Sequence, residues 1–313
     1  MSKTLYILGR KFFTYDNNVM LHNAINIYPK STVKKRILFS IISLFSVIGI
    51  LSFFIKDEKN EAQIPIKKAQ NKLNCDDFVI IWPNEKFRRR LYVYLYSNNK
   101  IMFFGKIGLD VDNSNLINKE KNNLKMVSNM KSFKTPIIEF YGLCDDMYYL
   151  FTSLIPSGSC LYAEKNSLVD PVIIEEVKTL GSARCLLKKQ VWFELLKYTI
   201  LRKKLNVHIN KKEISVCFAH GDMGSENIFL DKNNKVWIVD WERAGMFSPV
   251  LTDEFAYYLG MNNVEINKLS HIDKHMGVFL SCNDAQEVIC ALLYLDFLNY
   301  KPAVNMVKYY VDN

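Results

Sequence analysis

The sequence predicts an α+β protein of two lobes, a small antiparallel-sheet lobe and a larger helical one, preceded by an N-terminal extension containing an apolar helix. Three observations predict it. Residues 78 to 154 hold short runs of β-branched and aromatic residues separated by turn formers. After Gly158 the apolar residues recur at helical spacing. At 313 residues and 49% hydrophobic, the chain is long enough to bury two cores. The expected boundaries are an extension over 1–77, a small lobe over 78–152, a hinge over 153–158 and a large lobe over 159–313.

The extension contains ILFSIISLFSVIGILSFFI (37–55), uncharged, mostly apolar and long enough to span a bilayer. Ser40, Ser43, Ser46, Gly49 and Ser52 recur every third residue, a small-residue stripe suited to close packing. The preceding residues carry seven basic side chains against Asp16 alone, so that end favours the cytoplasmic side. A span would then place residues 56–313 outside the cell. A buried or membrane-surface helix is the favoured reading and a true span the alternative. Residues 56 to 76 are polar and read as a linker.

Within the small lobe, FVIIW (78–82), RLYVYLY (90–96) and KIMFFGKIG (100–108) read as strands, with turns at Pro83-Asn84 and Ser97-Asn98-Asn99. LINKEKNNLKMVSNM (116–130) reads as a helix, IIEFYGL and MYYLFTSL as strands, and Ile155-Pro156-Ser157-Gly158 as a break. In the large lobe, Asp170-Pro171 reads as an N-cap and first-turn pair. VWFELLKYTILRKKL (191–205) reads as an amphipathic helix, and Asn283 with Gln286 as a capping-box start for another.

Net charge is +9, with clusters at Lys34-Lys35-Arg36, Lys67-Lys68, Arg88-Arg89-Arg90, Lys188-Lys189, Arg202-Lys203-Lys204 and Lys211-Lys212. A solvated basic surface accounts for them most simply; affinity for phosphate-bearing ligands or for an anionic membrane face is the next reading. Nucleic acid is not expected, because no zinc knuckle, helix-turn-helix or aromatic RNA-binding signature accompanies the charge. Seven dispersed cysteines without a Cys-x-x-Cys pair read as reduced thiols of a cytoplasmic protein, with peripheral contact at the inner membrane face through 37–55 and the basic clusters left open.

The chemistry concentrates in AHGDMGSENIF (219–229) and VDWERAG (239–245). With Ile228-Phe229-Leu230 and Val236-Trp237-Ile238-Val239 as hairpin strands, Asp222 and Asn227 precede one strand and Asp240 ends the next. Two carboxylates and a carboxamide then meet at one edge. Phosphoryl transfer needs such a set: one Asp to accept the proton of the attacking hydroxyl, an Asn and a second Asp as hard oxygen ligands for Mg²⁺ on the ATP phosphates. The alternative is an Asx-rich loop whose side chains cap their own backbone.

HGDMGSEN followed by IVDWE resembles the aminoglycoside phosphotransferase and choline kinase superfamily, which shares the two-lobed protein-kinase-like fold. The resemblance covers roughly residues 78 to 300 and is most specific in this hairpin. It implies Asp222 as catalytic base, Asn227 and Asp240 as Mg²⁺ ligands, and His220 as organiser of the catalytic loop. Pro249 and Asp253 in AGMFSPVLTDEF match a segment that fixes the loop, while Glu242 is either a supporting group or a surface acid. The family also demands a strand lysine that contacts the ATP phosphates and pairs with a helix glutamate. Lys106 in FFGKIG and Glu120 fit, with an edge-strand lysine and a surface acid as the plainer alternatives. Thr152, Ser153, Leu154 and Ile155 match the segment whose backbone binds adenine. One departure is PNEKFRRR (83–90), which lacks a glycine-rich phosphate loop. The run LHNAINIYPKSTVKKR with its apolar helix resembles phosphotransferase-like proteins of bacterial surface-polysaccharide clusters.

The expected activity is therefore transfer of the γ-phosphate of ATP to a hydroxyl of a small molecule or glycan. A sugar hydroxyl in lipopolysaccharide or surface-polysaccharide biosynthesis fits the basic surface and apolar helix best. A choline- or aminoglycoside-type kinase is the runner-up, and a catalytically inactive kinase-like scaffold is the rival from another class.

Overall fold

The computed structural model describes residues 2–7, 10–15, 55–58, 62–83, 89–208, 211–261 and 269–312. In chain order these form β1 (Ser2–Ile7), β2 (Arg10–Tyr15), β3 (Ile55–Glu58), α1 (Gln63–Leu73), β4 (Asp77–Ile81), β5 (Arg90–Ser97) and β6 (Lys100–Gly108). Then come α2 (Val111–Val127), β7 (Phe133–Lys134), β8 (Ile138–Cys144), β9 (Met147–Ser153), β10 (Cys160–Leu161), α3 (Pro171–Lys178), β11 (Ser182–Leu186) and α4 (Leu195–Lys204). The chain finishes with β12 (Glu213–Ala219), β13 (Ile228–Leu230), β14 (Val236–Ile238), β15 (Gly245–Pro249), α5 (Thr252–Met261), α6 (Leu269–Cys282), α7 (Ala285–Phe297) and α8 (Lys301–Asp312). Two compact units result: Met1–Lys121 with Ile137–Leu154, and Asn122–Pro136 with Ile155–Asn313.

The first unit is built on an antiparallel sheet of order β3-β1-β2-β4-β5-β6-β9-β8. Its central strands are the β-branched and aromatic runs read from the sequence, and the turns between them carry the residues that such turns need. Asn98 and Asn99 join β5 to β6, and Asp145 and Asp146 join β8 to β9, all four with positive φ between 49° and 62°. Asn and Asp tolerate that conformation because their short polar side chains bond locally. Two sequence expectations are corrected here. The N-terminal residues do not stand apart from the small lobe, since β2 pairs with β4 through Phe13↔Ile81 and Tyr15↔Val79. Leu5, Phe13 and Tyr15 are fully buried, so burial of apolar area holds this strand pair in the sheet. Likewise, the polar linker of 56–76 contains a strand and a helix: α1 buries Pro65, Ile66 and Ala69 and leaves its lysines in solvent. The apolar segment 37–55 lies outside the described residues except Ile55, which begins β3. No helix among the described residues is long and apolar enough to cross a membrane.

The second unit packs α4 to α8 around α7, whose residues Val288 to Leu295 are all buried. Asp170 caps α3 by accepting from Val172 N, with Pro171 in the first turn, as expected. The start of α7 differs from the sequence reading. Asp284, not Asn283, is the N-cap and accepts from the backbone N–H groups of Gln286 and Glu287. Gln286 is drawn away from a capping box because its amide donates to the carbonyls of Lys211 and Glu213. The helix read over 191–205 begins only at Leu195. Two small sheets complete the unit, β10-β13-β14-β7 and β11-β12-β15. They hold the two ends of the 219–245 segment: β12 leads into the loop, and the β13–β14 hairpin carries Asn227 before it and Asp240 after it.

Candidate active site

In the second unit, the loop between β12 and β13 is fixed from below by Asp253 of α5. Its carboxylate accepts from His220 N at 2.7 Å and from Gly221 N at 2.9 Å, and its side chain is buried. Both donors would otherwise be orphaned inside the protein, which is the costly alternative. Burial pushes the Asp253 carboxyl up to about 6, against the pull of the two backbone donors. The sequence reading of Asp253 as a loop-fixing residue agrees with this geometry.

His220 is fully buried, with both ring nitrogens engaged by backbone groups. Nε2 lies 2.9 Å from the carbonyl of Val239, and Nδ1 accepts from Asp222 N at 3.2 Å. A carbonyl can only accept and a backbone N–H can only donate, so the ring is the neutral tautomer protonated at Nε2. Burial holds its pKa below the ordinary histidine value, consistent with that neutral form. The ring thereby ties the loop to Val239, between the end of β14 and Asp240. Between them, Gly221 has φ +76°, and a Cβ there would sit 3.0 Å from the carbonyl oxygen of Arg243. Only glycine meets both conditions without strain.

These contacts present Asp222. Its carboxylate is mostly buried, 19% exposed, and burial pushes its pKa up to about 6. Arg243, whose Nε is 3.6 Å from Oδ2, pulls it back down, while Asp240, Glu226 and Glu242 push it further up. A carboxylate with this value is ionised at pH 7 yet basic enough to share a proton, the property a general base requires.

Asn227 donates Nδ2 to the carbonyl of Asp222 at 2.7 Å and is itself buried. That bond fixes the amide orientation and leaves Oδ1 as its oxygen acceptor. Asp240 follows β14 in the left-handed region at φ 64°, ψ 56°, and opens the short 3-10 turn Trp241–Arg243. Asp is among the few residues that visit this region, and the surrounding structure fixes it there. The enforcement is visible in Trp241, fully buried and stacked between Phe133 and Phe218 with its edge against His220. Asn123 of α2 also donates to the carbonyls of Trp241 and Ala244. Glu242 is buried, which removes the surface-acid alternative. The donors at Asn227 and Asp240 are hard oxygens, the kind Mg²⁺ selects. Asp240 and Glu242 both act to raise Asp222, as neighbouring carboxylates do.

In the first unit, Lys106 and Glu120 form an ion pair, Nζ donating to Oε1 at 2.9 Å and to Oε2 at 2.8 Å, both side chains buried. Lys106 lies on β6, hydrogen-bonded between β5 and β9, so the edge-strand alternative does not hold. Glu120 lies on α2 and is no surface acid. Of the segment matched to adenine binding, Thr152 and Ser153 are the last residues of β9, and Ser153 N already donates to Ile137 O at 2.8 Å. Leu154 and Ile155 follow β9, outside the ladder. Arg90 departs from the solvated role read for it: it is buried, with Nε donating to Tyr92 Oη. Arg88 lies outside the described residues.

Two site residues escaped the sequence. The signal for Arg243 is its place directly after Asp-Trp-Glu. Asn123 gave none, since its partner is 118 positions away.

No family model matches the chain, and no curated protein is found similar to it by sequence. Solved structures are similar to it. A choline kinase from Streptococcus pneumoniae is 13% identical over 81% of this chain and 98% of its own, with a TM-score of 0.47. The GDP complex of wild-type aminoglycoside 2'-phosphotransferase-IIIa is 12% identical over 79% and 99%, TM-score 0.43. The streptomycin–ATP ternary complex of APH(2")-IIa is 11% identical over 76% and 99%, TM-score 0.43. At these identities and TM-scores, the functional reading rests on the side chains described above.

Proposed function

We propose that the protein is an ATP-dependent phosphotransferase that moves the γ-phosphate to a hydroxyl group. The observation that carries this reading is the Asn227 amide, which is tied to the carbonyl of Asp222 and so leaves an oxygen ligand beside a buried carboxylate poised near 6. A polar turn serving only its own backbone has no need of that combination.

In this reading Asp222 accepts the proton of the acceptor hydroxyl as its oxygen bonds to the γ-phosphorus. The bond from that phosphorus to the bridging oxygen breaks, and its electron pair leaves with ADP. Asn227 and Asp240 would hold Mg²⁺, which when bound neutralises charge on the phosphates. Lys106, oriented by Glu120, holds the α- and β-phosphates. The backbone after Ser153, at Leu154 and Ile155, meets the adenine. His220 and Asp253 hold the loop in register and touch neither substrate.

For the acceptor we favour a sugar hydroxyl of a surface glycan. The supporting features are the exposed basic pairs Lys67-Lys68, Lys188-Lys189, Lys203-Lys204 and Lys211-Lys212, suited to an anionic acceptor, and the apolar run of 37–55. The test is ADP release in the presence of Mg²⁺ and ATP against a panel of purified glycan, lipid-linked sugar, choline and aminoglycoside acceptors. Stimulation by a glycan alone supports the acceptor assignment; stimulation by choline or an aminoglycoside alone replaces it. The Asp222→Asn variant should lose turnover by about 10³-fold or more and still bind ATP. Loss of ATP binding in that variant would show that Asp222 is not the base.

A further inference from the structure

The catalytic loop AHGDMGSEN contains no lysine or arginine. Position 224, two residues past Asp222, is a glycine whose Cβ position would lie 3.2 Å from the Glu226 carboxylate. Yet Asp222 is surrounded by charge of its own sign from Asp240, Glu226 and Glu242. Left to these neighbours, the carboxylate would turn toward solvent, where repulsion is screened. The opposing charge comes from outside the loop. Arg243 leaves the 3-10 turn after Asp240 with Nε 3.6 Å from Oδ2 of Asp222, and its side chain is only 20% exposed. Its backbone also lies close to the loop, since a Cβ at Gly221 would sit 3.0 Å from its carbonyl oxygen. A guanidinium stays charged wherever Asp222 is ionised, so it opposes the like charges around that carboxylate across the whole working range.

We propose that Arg243 is a positioning residue of the phosphotransfer site: it holds Oδ2 of Asp222 and so presents Oδ1 to the acceptor hydroxyl. This rests on the phosphotransfer reading above. Arg243 touches neither the transferred phosphate nor the acceptor in this role; it acts through the aspartate. A residue acting so should alter the rate of the chemical step and leave nucleotide binding alone.

The experiment compares full-length wild type with Arg243→Gln and Arg243→Lys, measuring ADP formation from Mg²⁺-ATP with the acceptor panel above, alongside thermal unfolding. The Gln variant should lose about 10- to 100-fold in kcat with KM for ATP within about twofold and an unchanged unfolding temperature, and the Lys variant should recover most of the loss. Unchanged kcat in the Gln variant overturns the proposal. So does a rise in KM that accounts for the whole effect, a fall in unfolding temperature that tracks it, or a Lys variant as slow as the Gln variant. If wild type forms no ADP with any acceptor, the phosphotransfer reading fails and carries this proposal with it. An active wild type beside an equally active Gln variant defeats the Arg243 assignment alone.

Discussion

Breaking the Lys106–Glu120 pair from one side and then from both separates its structural worth from its function. With Nζ 2.8 Å from Oε2, the Coulomb attraction at an effective dielectric of about 20 is about 6 kcal/mol. Moving both ions out of water costs several kcal/mol each, so the intact pair contributes close to nothing net. Single replacements are a different matter. Lys106→Met leaves a carboxylate at a site only 4% exposed, and Glu120→Leu leaves an ammonium at one 6% exposed. Each should cost about 3–5 kcal/mol. The double variant Lys106→Met with Glu120→Leu restores an apolar environment and should lie within about 1.5 kcal/mol of wild type. The cycle cancels whatever else either residue touches and should return a coupling energy of about 3 kcal/mol or more. Calorimetric unfolding of the four proteins measures it, and calorimetric titration with Mg²⁺-ATP shows whether the stable double variant still binds nucleotide. It should not. A Lys106→Met variant as stable as wild type would refute the electrostatic reasoning, and a double variant that binds ATP normally would refute the role given to Lys106.

Three further outcomes are expected. Because burial raises Asp222 to about 6, kcat/KM should rise with pH through that value as the base ionises, and a profile flat between pH 5 and 7 would contradict its role. Gly221→Ala should lower stability by about 1–2 kcal/mol through the left-handed penalty at φ +76° and lower turnover through displacement of Asp222, both checked on the purified variant. Asp253→Asn sets an amide N–H₂ against one of two backbone donors, so it should cost about 2–3 kcal/mol at pH 7 by thermal unfolding. The wild-type carboxyl is raised from 3.8 to about 6, so the native state binds its proton more tightly than the unfolded chain. Its contribution to stability therefore falls as pH rises through that window, a slope the Asn variant lacks.

The parts of the fold legible in the sequence are those whose cause is local. β4, β5, β6, β8 and β9 could be read because they are β-branched and aromatic runs, and Asn98-Asn99 between β5 and β6 suits the φ values of that turn. The β13–β14 hairpin and its chemistry were legible for the same reason, with Asp222, Asn227 and Asp240 at fixed offsets from two apolar strands. What stayed hidden depends on partners far along the chain. α1 looks like a linker because only Pro65, Ile66 and Ala69 are buried, and their burial is decided by the sheet. β1 and β2 are short strands placed by pairing with each other, with β3 and with β4. The capping of α7 by Asp284 instead of Asn283 turns on the carbonyls of Lys211 and Glu213, which bind Gln286 from 75 and 73 residues away. The ion pair of Arg243 with Asp222 belongs to the same class, since it exists only once the hairpin returns Asp240 to the loop.

Calorimetric titration of wild type, Asp222→Asn and Asp240→Ala with ATP in the presence and absence of Mg²⁺ tests the central claim most directly. The account predicts Mg²⁺-dependent binding by wild type, binding retained by Asp222→Asn, and binding lost by Asp240→Ala. A wild-type chain that binds no ATP, or an Asp240→Ala variant that binds it as wild type does, would contradict it.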